Sequence, residues 1–180
     1  MKMSARRQAV LVDMDGTLAN VSTIRHFVDA MRVDKDGNKV KKDFHAFHEA
    51  SEFVPANKQA IDFCRRHHKA GHAIVIVTAR MEEWRPHTRR FIDRELVDAF
   101  GVPVADQYHR ADGDYRKDYE VKKEILAKVR EKYDVIGAID DNPAIIKLWE
   151  EEAIPEIEVV PGWDHDAAAK YAAVANRVNT

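Results

Sequence analysis

Ala9-Val10-Leu11-Val12-Asp13-Met14-Asp15-Gly16-Thr17 is the stretch of sequence that decides the fold. Its four apolar residues show no polar alternation, which predicts a strand that is buried on both faces, as in a parallel sheet. Similar apolar runs recur at 73–77 and 135–139, and further strands are predicted at 102–108 and 157–160. Amphipathic helical patterns separate these runs, and the strongest spans Asp118 to Lys132. This alternation predicts a three-layer α/β fold with a mainly parallel sheet.

Length and composition fit a single domain. The chain has 180 residues, of which 45% are hydrophobic and 33% are charged, an ordinary mixture for a globular protein. Residues Ala19 to Phe53 do not follow the alternation, because their periodicity is weak and they carry many charges. We therefore expect one domain over 1–180, with a small cap inserted at about 19–54. A further amphipathic helix is predicted from Ala167 to Val178.

Several classes of protein are disfavoured. Lys and Arg total 29 and Asp and Glu total 31, so a net charge of −2 argues against a strongly basic surface for nucleic acid. The single cysteine, Cys64, excludes an intrachain disulfide and fits a reducing compartment, so a cytoplasmic location is expected. No apolar run approaches 18 residues, so we expect neither a membrane span nor a signal peptide. The seven glycines include no P-loop pattern.

Polar residues follow three of the apolar runs, at the positions where open α/β sheets bind ligands. The residues in question are Asp13, Asp15, Gly16 and Thr17 after the first run, Thr78 and Arg80 after the second, and Asp140 and Asp141 after the third. Because the carboxyl ends of parallel strands meet at one edge of the sheet, this convergence predicts a single site.

The first of these clusters has the chemistry of phosphoryl transfer. In extended chain Asp13 and Asp15 share a side, so both carboxylates can face one ligand. A carboxylate and a phosphate dianion repel each other, and Mg²⁺, which prefers oxygen ligands, would relieve that repulsion. Asp13 is then the candidate nucleophile that forms an aspartyl phosphate, and Asp15 the candidate acid and base. The alternative is a simple turn or helix N-cap, for which Asp-Gly is common.

The other strand ends supply complementary groups. The Thr78 hydroxyl can donate to a phosphoryl oxygen and the Arg80 guanidinium can bind two, although a helix cap and a surface charge are the alternatives. Asp140 is a candidate magnesium ligand. Asp141 either completes the metal site or supports the N-terminus of the following helix.

A lysine is expected to neutralise the nucleophile and the phosphate together. The candidates flank the start of the predicted helix 118–132 and are Arg116, Lys117, Lys122 and Lys123. Lys122 lies beside the apolar row of that helix and Lys117 in the preceding loop. The residues alone leave open which of the two acts.

These residues resemble the four motifs of the haloacid dehalogenase (HAD) superfamily of phosphotransferases. A narrower resemblance is to the 3′-phosphatase domain of bacteriophage-type polynucleotide kinase-phosphatase; it is carried by Thr78-Ala79-Arg80, Gln107 to Arg110, Gly113 to Asp118, Val121-Lys122 and Ala138 to Asp141. It implies a Rossmann-like HAD fold and a Mg²⁺-dependent phosphohydrolase that works through an aspartyl phosphate. Lys122 is implied as the motif lysine.

The resemblance also fixes the set of residues expected to touch ligand. Thr17, Arg80, Arg110 and Lys117 are expected to bind substrate, and Asp13, Asp15, Asp140 and Asp141 to hold the metal, Asp15 through its backbone carbonyl. The substrate expected is a 3′-phosphate on a DNA or RNA end, with a separate kinase or ligase as a possible partner. Arg85, Arg89, Arg90 and Arg94 are candidates for a phosphate track, and Trp84, Phe44 or Phe47 for stacking a base.

Two other functions remain open at this point. One is a small-molecule phosphatase that acts on a nucleotide or metabolite. The other is a non-catalytic binding module on the same scaffold, which the presence of both Asp13 and Asp15 disfavours.

Overall fold

A five-stranded parallel sheet forms the centre of the computed structural model, which describes residues 5–29 and 33–161. The strands are β1 (Arg7–Val12), β2 (Ala73–Met81), β3 (Asp106–Arg110), β4 (Tyr133–Asp140) and β5 (Glu156–Val159). They are ordered β3-β2-β1-β4-β5, and every pairing is parallel. The predicted α/β class with a parallel sheet is confirmed.

Five α-helices accompany the sheet in the described part of the chain: α1 (Phe44–Ser51), α2 (Lys58–Lys69), α3 (Arg85–Ile92), α4 (Asp118–Lys132) and α5 (Pro143–Glu151). Short 3₁₀ turns occur at Arg25–Phe27 and Glu82–Trp84, and a π-helical segment, Asp93–Asp98, continues α3. None of the helices among these residues is long and apolar enough to cross a membrane.

Both faces of the sheet are covered, which explains why its strands lack polar alternation. Val10 and Val12 of β1 point into a core that contains Phe63 of α2 and Phe91 of α3. Ala9 and Leu11 of the same strand join a second core, which holds Val121, Ile125 and Trp149 from α4 and α5. Strand β1 therefore buries both of its side-chain rows, and the predicted three layers are present.

Some predicted boundaries differ from the observed ones. The sequence predicts helix α2 from Pro55 to Ala70, but it begins at Lys58 and ends at Lys69. The backbone of 55–57 bonds to the loop after β1 instead: Asn20 N donates to Pro55 O and Asn57 N to Leu18 O. Strand β2 continues past Thr78 to Met81, which pairs with Arg110 of β3. The predicted helix from Ala167 to Val178 lies outside the described residues.

The segment predicted to be an insertion contains α1 and is tied to α3. Both carboxylate oxygens of Glu52, which follows α1, accept hydrogen bonds from Arg90, at 2.6 and 2.7 Å. Arg94 Nη2 donates to the Glu52 carbonyl at 2.7 Å. Phe47 is buried in the core, and Asp43 caps α1 by accepting from Ala46 N. These contacts hold α1 beside the carboxyl ends of the strands.

Candidate active site

Three carboxylates meet where the neighbouring strands β1 and β4 end. Asp13 follows β1 and Asp140 is the last residue of the neighbouring strand β4, and Asp13 N donates to Ile139 O at 3.2 Å. Asp13, Asp140 and Asp141 are all buried, and each offers one oxygen within 4.8 Å of the others. The structure thus brings the first and third predicted clusters together.

Lys122 of α4 supplies a cation to this group. Its Nζ donates to Asp13 Oδ1 and to Asp140 Oδ2, each at 2.7 Å, and its side chain is only 3% exposed. Burial disfavours the charge on Lys122, but the two carboxylates outweigh burial and hold its pKa above the ordinary value. The lysine therefore stays charged next to the candidate nucleophile.

Asp13 itself sits in an environment that opposes ionisation. Burial contributes most to raising its pKa, and the negative charges of Asp140 and Asp141 raise it further. Lys122 acts in the opposite direction, yet the pKa of Asp13 remains well above its ordinary value. One lysine does not balance three clustered carboxylates, so the group favours a further cation.

Asp15 points to a different partner. The Arg80 guanidinium donates to both carboxylate oxygens of Asp15: its Nε to Oδ2 at 2.8 Å and its Nη2 to Oδ1 at 2.5 Å. The third nitrogen of Arg80, Nη1, donates to Thr88 Oγ1 at 2.9 Å. Burial opposes ionisation of Asp15, but the charge and hydrogen bonds of Arg80 prevail and lower its pKa. The fully buried side chain of Arg80 thus faces Asp15 and Thr88 and also borders the cavity, and its expected contact with substrate phosphate stays a prediction. The Asp15 carboxylate lies outside the three-carboxylate group.

Thr17 is bonded to one of the three carboxylates. It is completely buried, and its Oγ1 donates to Asp141 Oδ1 at 3.1 Å, so it orients that carboxylate, while its expected contact with substrate stays a prediction. Gly16 makes this contact possible. Its φ of +84° suits glycine, and a Cβ there would lie 2.3 Å from Asp141 Oδ2.

Thr78 lies at the floor of the site, as expected. It is buried in β2 and borders the cavity, and its Oγ1 accepts from Arg80 N at 3.2 Å. The hydroxyl hydrogen is left as a donor for a phosphoryl oxygen.

A cavity of about 680 Å³ opens above these groups. One wall is aromatic: the rings of His45 and His48, from α1, lie 5.1 and 5.2 Å from the ring of Trp84, and Phe44 and Phe47 border the same space. Burial lowers the pKa of His48 to about 4, so its imidazole is neutral at pH 7. The cavity thus joins an acidic floor to an aromatic side.

Other predicted ligand contacts are not brought to this floor. Lys117 is exposed at the N-cap of α4 and does not border the cavity, whereas Lys122 does. Arg110 borders the cavity, donates to the carbonyls of Ala79, Asp114 and Arg116 and pairs with Asp118, so it fixes the loop between β3 and α4. The expected contacts of Lys117 and Arg110 with substrate stay predictions.

The predicted phosphate track is not supported, because each arginine already has an acidic partner. The pairs are Arg85 with Glu82, Arg89 with Asp93, Arg90 with Glu52 and Arg94 with Glu95.

Two residues of the site are not predicted from the sequence. Thr88, which accepts a hydrogen bond from Arg80, lies eight residues after it and carries no motif signal. The second, His48, lies with Phe44 on one side of α1, and their i, i+4 spacing is a sign of this in the sequence.

A family model and a viral relative show the family of this chain. The family described as the polynucleotide kinase PNKP phosphatase domain matches residues 41–163. A protein of Autographa californica nuclear polyhedrosis virus, named as a bifunctional polynucleotide kinase/RNA ligase, is 30% identical over 151 residues. That alignment covers 83% of this chain and only 19% of the viral protein, so the chain spans about a fifth of this relative.

Two solved structures share the fold. A chain of the Pnkp1/Rnl/Hen1 RNA repair complex is 21% identical, with a TM-score of 0.66 over 88% of this chain and 44% of that one. The class C acid phosphatase from Bacillus anthracis, with tungstate bound, is 15% identical, with a TM-score of 0.62 over 89% of this chain and 69% of that one. At these identities the likeness concerns the fold.

Proposed function

Because the chain belongs to the family of polynucleotide kinase-phosphatase phosphatase domains, within the HAD phosphatases, we propose that it removes 3′-phosphate groups from polynucleotide ends. The observation that carries the proposal is the constellation of Asp13, Lys122 and Asp140 at the sheet edge, with Asp15 two residues after Asp13. The aromatic side of the cavity supports a nucleotide as the group that carries the phosphate.

The reaction proceeds in two displacements. An oxygen of the Asp13 carboxylate attacks phosphorus, the bond from phosphorus to the 3′-oxygen breaks, and Asp15 gives a proton to the departing alkoxide. Asp15 then takes a proton from water, the water oxygen attacks the aspartyl phosphate, and inorganic phosphate leaves with Asp13 restored. Lys122 and the Thr78 hydroxyl offset charge on the phosphoryl oxygens.

Asp15 needs a proton for the first displacement, and Arg80 favours its ionised form in the free protein. A phosphate dianion bound beside Asp15 raises the pKa of this carboxyl, since like charges disfavour ionisation. Arg80 is a positioning residue in this scheme: it holds both oxygens of Asp15 and keeps that side chain away from Asp140 and Asp141.

The residues fit Mg²⁺. Asp13, Asp140 and Asp141 offer three buried oxygen ligands, the type that Mg²⁺ prefers, and their negative charge exceeds what Lys122 supplies. We assign these three side chains as its ligands, and the Asp15 carboxylate, held by Arg80, is not among them. When bound, Mg²⁺ supplies positive charge that relieves the repulsion between the carboxylates and the phosphate.

A substrate panel tests the proposal. The protein is assayed with Mg²⁺ and with chelator on a 3′-phosphorylated oligonucleotide, a 5′-phosphorylated oligonucleotide, mononucleotides and sugar phosphates, with the Asp13→Asn variant as the control for contaminating phosphatase. We expect the highest kcat/KM on the 3′-phosphorylated oligonucleotide, and loss of activity with chelator or in the variant. Faster hydrolysis of sugar phosphates or mononucleotides would support the small-molecule alternative. Failure to hydrolyse any of these, or an aryl phosphate, would favour a binding module.

We also propose roles for the inserted segment and for partner proteins. Segment 19–54, with α1 fixed to α3 through Glu52, acts as a small cap that covers only one side of the cavity. A kinase and a ligase, as separate partners or as linked domains, act on the same nucleic-acid ends as this chain. The names of the viral relative, a polynucleotide kinase/RNA ligase, and of the RNA repair complex support this proposal.

A further inference from the structure

Tyr115 stands out at the mouth of the cavity. It lies in the loop between β3 and α4 and borders the cavity, yet it is 87% exposed. Among the large apolar and aromatic side chains of the residues that the structure describes, that of Tyr115 is the most exposed. An aromatic ring held in water beside a ligand cavity contributes little to folding, so its environment points to a binding role.

The backbone on both sides of Tyr115 is fixed. Arg110 Nη1 donates to the carbonyl of Asp114 at 2.9 Å and to that of Arg116 at 2.6 Å, the residues directly before and after Tyr115. The Arg116 guanidinium in turn pairs with Asp114 and with Glu124. The backbone that carries the ring is therefore fixed, and little backbone entropy is lost when a ligand stacks on the ring.

The surrounding mouth suits a polyanion that carries planar groups. Phe44, which is 53% exposed, and Lys42, which is exposed, border the same cavity from the start of α1. In the described part of the chain Lys42 makes no ion pair, whereas Arg116 is neutralised by its two acidic partners. Exposed aromatic rings together with a free cation are the usual elements of sites for single-stranded nucleic acid.

We propose that Tyr115 stacks on the base of the nucleotide that precedes the phosphorylated one, so that the site selects a single-stranded 3′ end of at least two nucleotides. The proposal rests on the proposed function. With the phosphate at Asp13 and the terminal nucleoside against the Trp84 side, the next nucleotide lies at the mouth. Stacking there is open to any base and requires an unpaired strand.

The test compares three substrates at equal Mg²⁺: a 3′-phosphorylated mononucleotide, the corresponding dinucleotide, and a dinucleotide whose 5′ residue is abasic. For the wild-type protein we expect kcat/KM to be highest on the intact dinucleotide. Tyr115→Ala should lower the ratio of kcat/KM for dinucleotide over mononucleotide by about 5- to 150-fold, the equivalent of about 1–3 kcal/mol for one stacked base. Tyr115→Phe, which keeps the ring, should retain most of that ratio.

Phe53→Ala is the matched control, because Phe53 is 76% exposed and does not border the cavity; it should leave the ratio unchanged. Equal rates on the intact and abasic dinucleotides, or an equal loss on mononucleotide and dinucleotide in Tyr115→Ala, would overturn the stacking role while leaving the 3′-phosphatase proposal intact. Hydrolysis of sugar phosphates with no hydrolysis of any 3′-phosphorylated nucleotide would overturn both.

Discussion

Arg80→Met should destabilise the protein by an amount that the buried ion pair allows us to estimate. The substitution removes the hydrogen bonds to both oxygens of Asp15 and to Thr88, and it leaves a carboxylate that is only 20% exposed without its cation. Breaking a buried pair in this way typically costs about 3–5 kcal/mol. Because some water reaches Asp15, we take the lower end, about 3 kcal/mol, which corresponds to a fall in Tm of about 6–12 °C for a chain of this size.

The assay is denaturant and thermal unfolding in metal-free buffer, as a double-mutant cycle. Asp15→Asn removes the charge that Arg80 balances, so the double variant Arg80→Met with Asp15→Asn should be more stable than the sum of the two single losses predicts, by at least about 1 kcal/mol. Additive losses, or a cost of Arg80→Met below about 1 kcal/mol, would refute the idea that this pair holds the site together.

The pH dependence gives an independent check on the same pair. Arg80 makes the pKa of Asp15 lower in the folded than in the unfolded state, where it is about 4. The stabilisation is therefore fully present above that unfolded value and is lost as the pH falls through the lower folded value. The stability gap between the wild-type protein and Arg80→Met should be constant from about pH 5 to 7 and should narrow below about pH 4.

Three further substitutions separate catalysis from folding. Asp13→Asn should abolish turnover, because it removes the nucleophile. It should not lower the stability at pH 7, because the raised pKa of Asp13 means that its ionised form is disfavoured in the folded protein. Activity assays and urea unfolding measure the two effects, and a large loss of stability would contradict the second. Lys122→Met should lower kcat by at least about 10²-fold, as expected when one donor to the phosphoryl group is lost, and near-normal kcat in steady-state assays would exclude Lys122 from the site. Gly16→Ala should cost at least about 1–2 kcal/mol from its φ of +84° alone, and more from the clash with Asp141; thermal unfolding that matches the wild type would show that the turn can rearrange.

The sequence predicts the sheet and the meeting of its strand ends because both follow from local patterns. Unalternating apolar runs indicate strands covered on both faces, and parallel strands place their carboxyl ends at one edge. Asp13 and Asp140 are therefore expected to be neighbours although they are far apart in sequence. The regular apolar row of α4 also places Lys122 toward the sheet, whereas Lys117 precedes the helix and remains exposed.

Sequence patterns do not reveal which partner a polar side chain finds. Arg80 and Asp15 are 65 residues apart, and an arginine at a strand end has the same local pattern whether it faces a ligand or a buried carboxylate. Thr17 is a similar case, since its hydroxyl meets Asp141 only once β1 and β4 pair. In both cases the bond depends on the distance between two strands, which no single segment of the sequence specifies.

The two carboxyls assigned to the chemistry have pKa values that move in opposite directions in the free protein, and both directions oppose the proposed reaction. Asp13 has to be ionised to attack, but its pKa is raised; Asp15 has to carry a proton to assist the leaving group, but its pKa is lowered. Positive charge bound by Asp13, Asp140 and Asp141 would lower the first pKa, and a phosphate dianion next to Asp15 would raise the second. The protonation states that the reaction needs are thus those of the site with metal and substrate bound. Each ligand therefore shifts one of the two pKa values in the direction that the first displacement requires: the metal acts on Asp13 and the phosphate acts on Asp15.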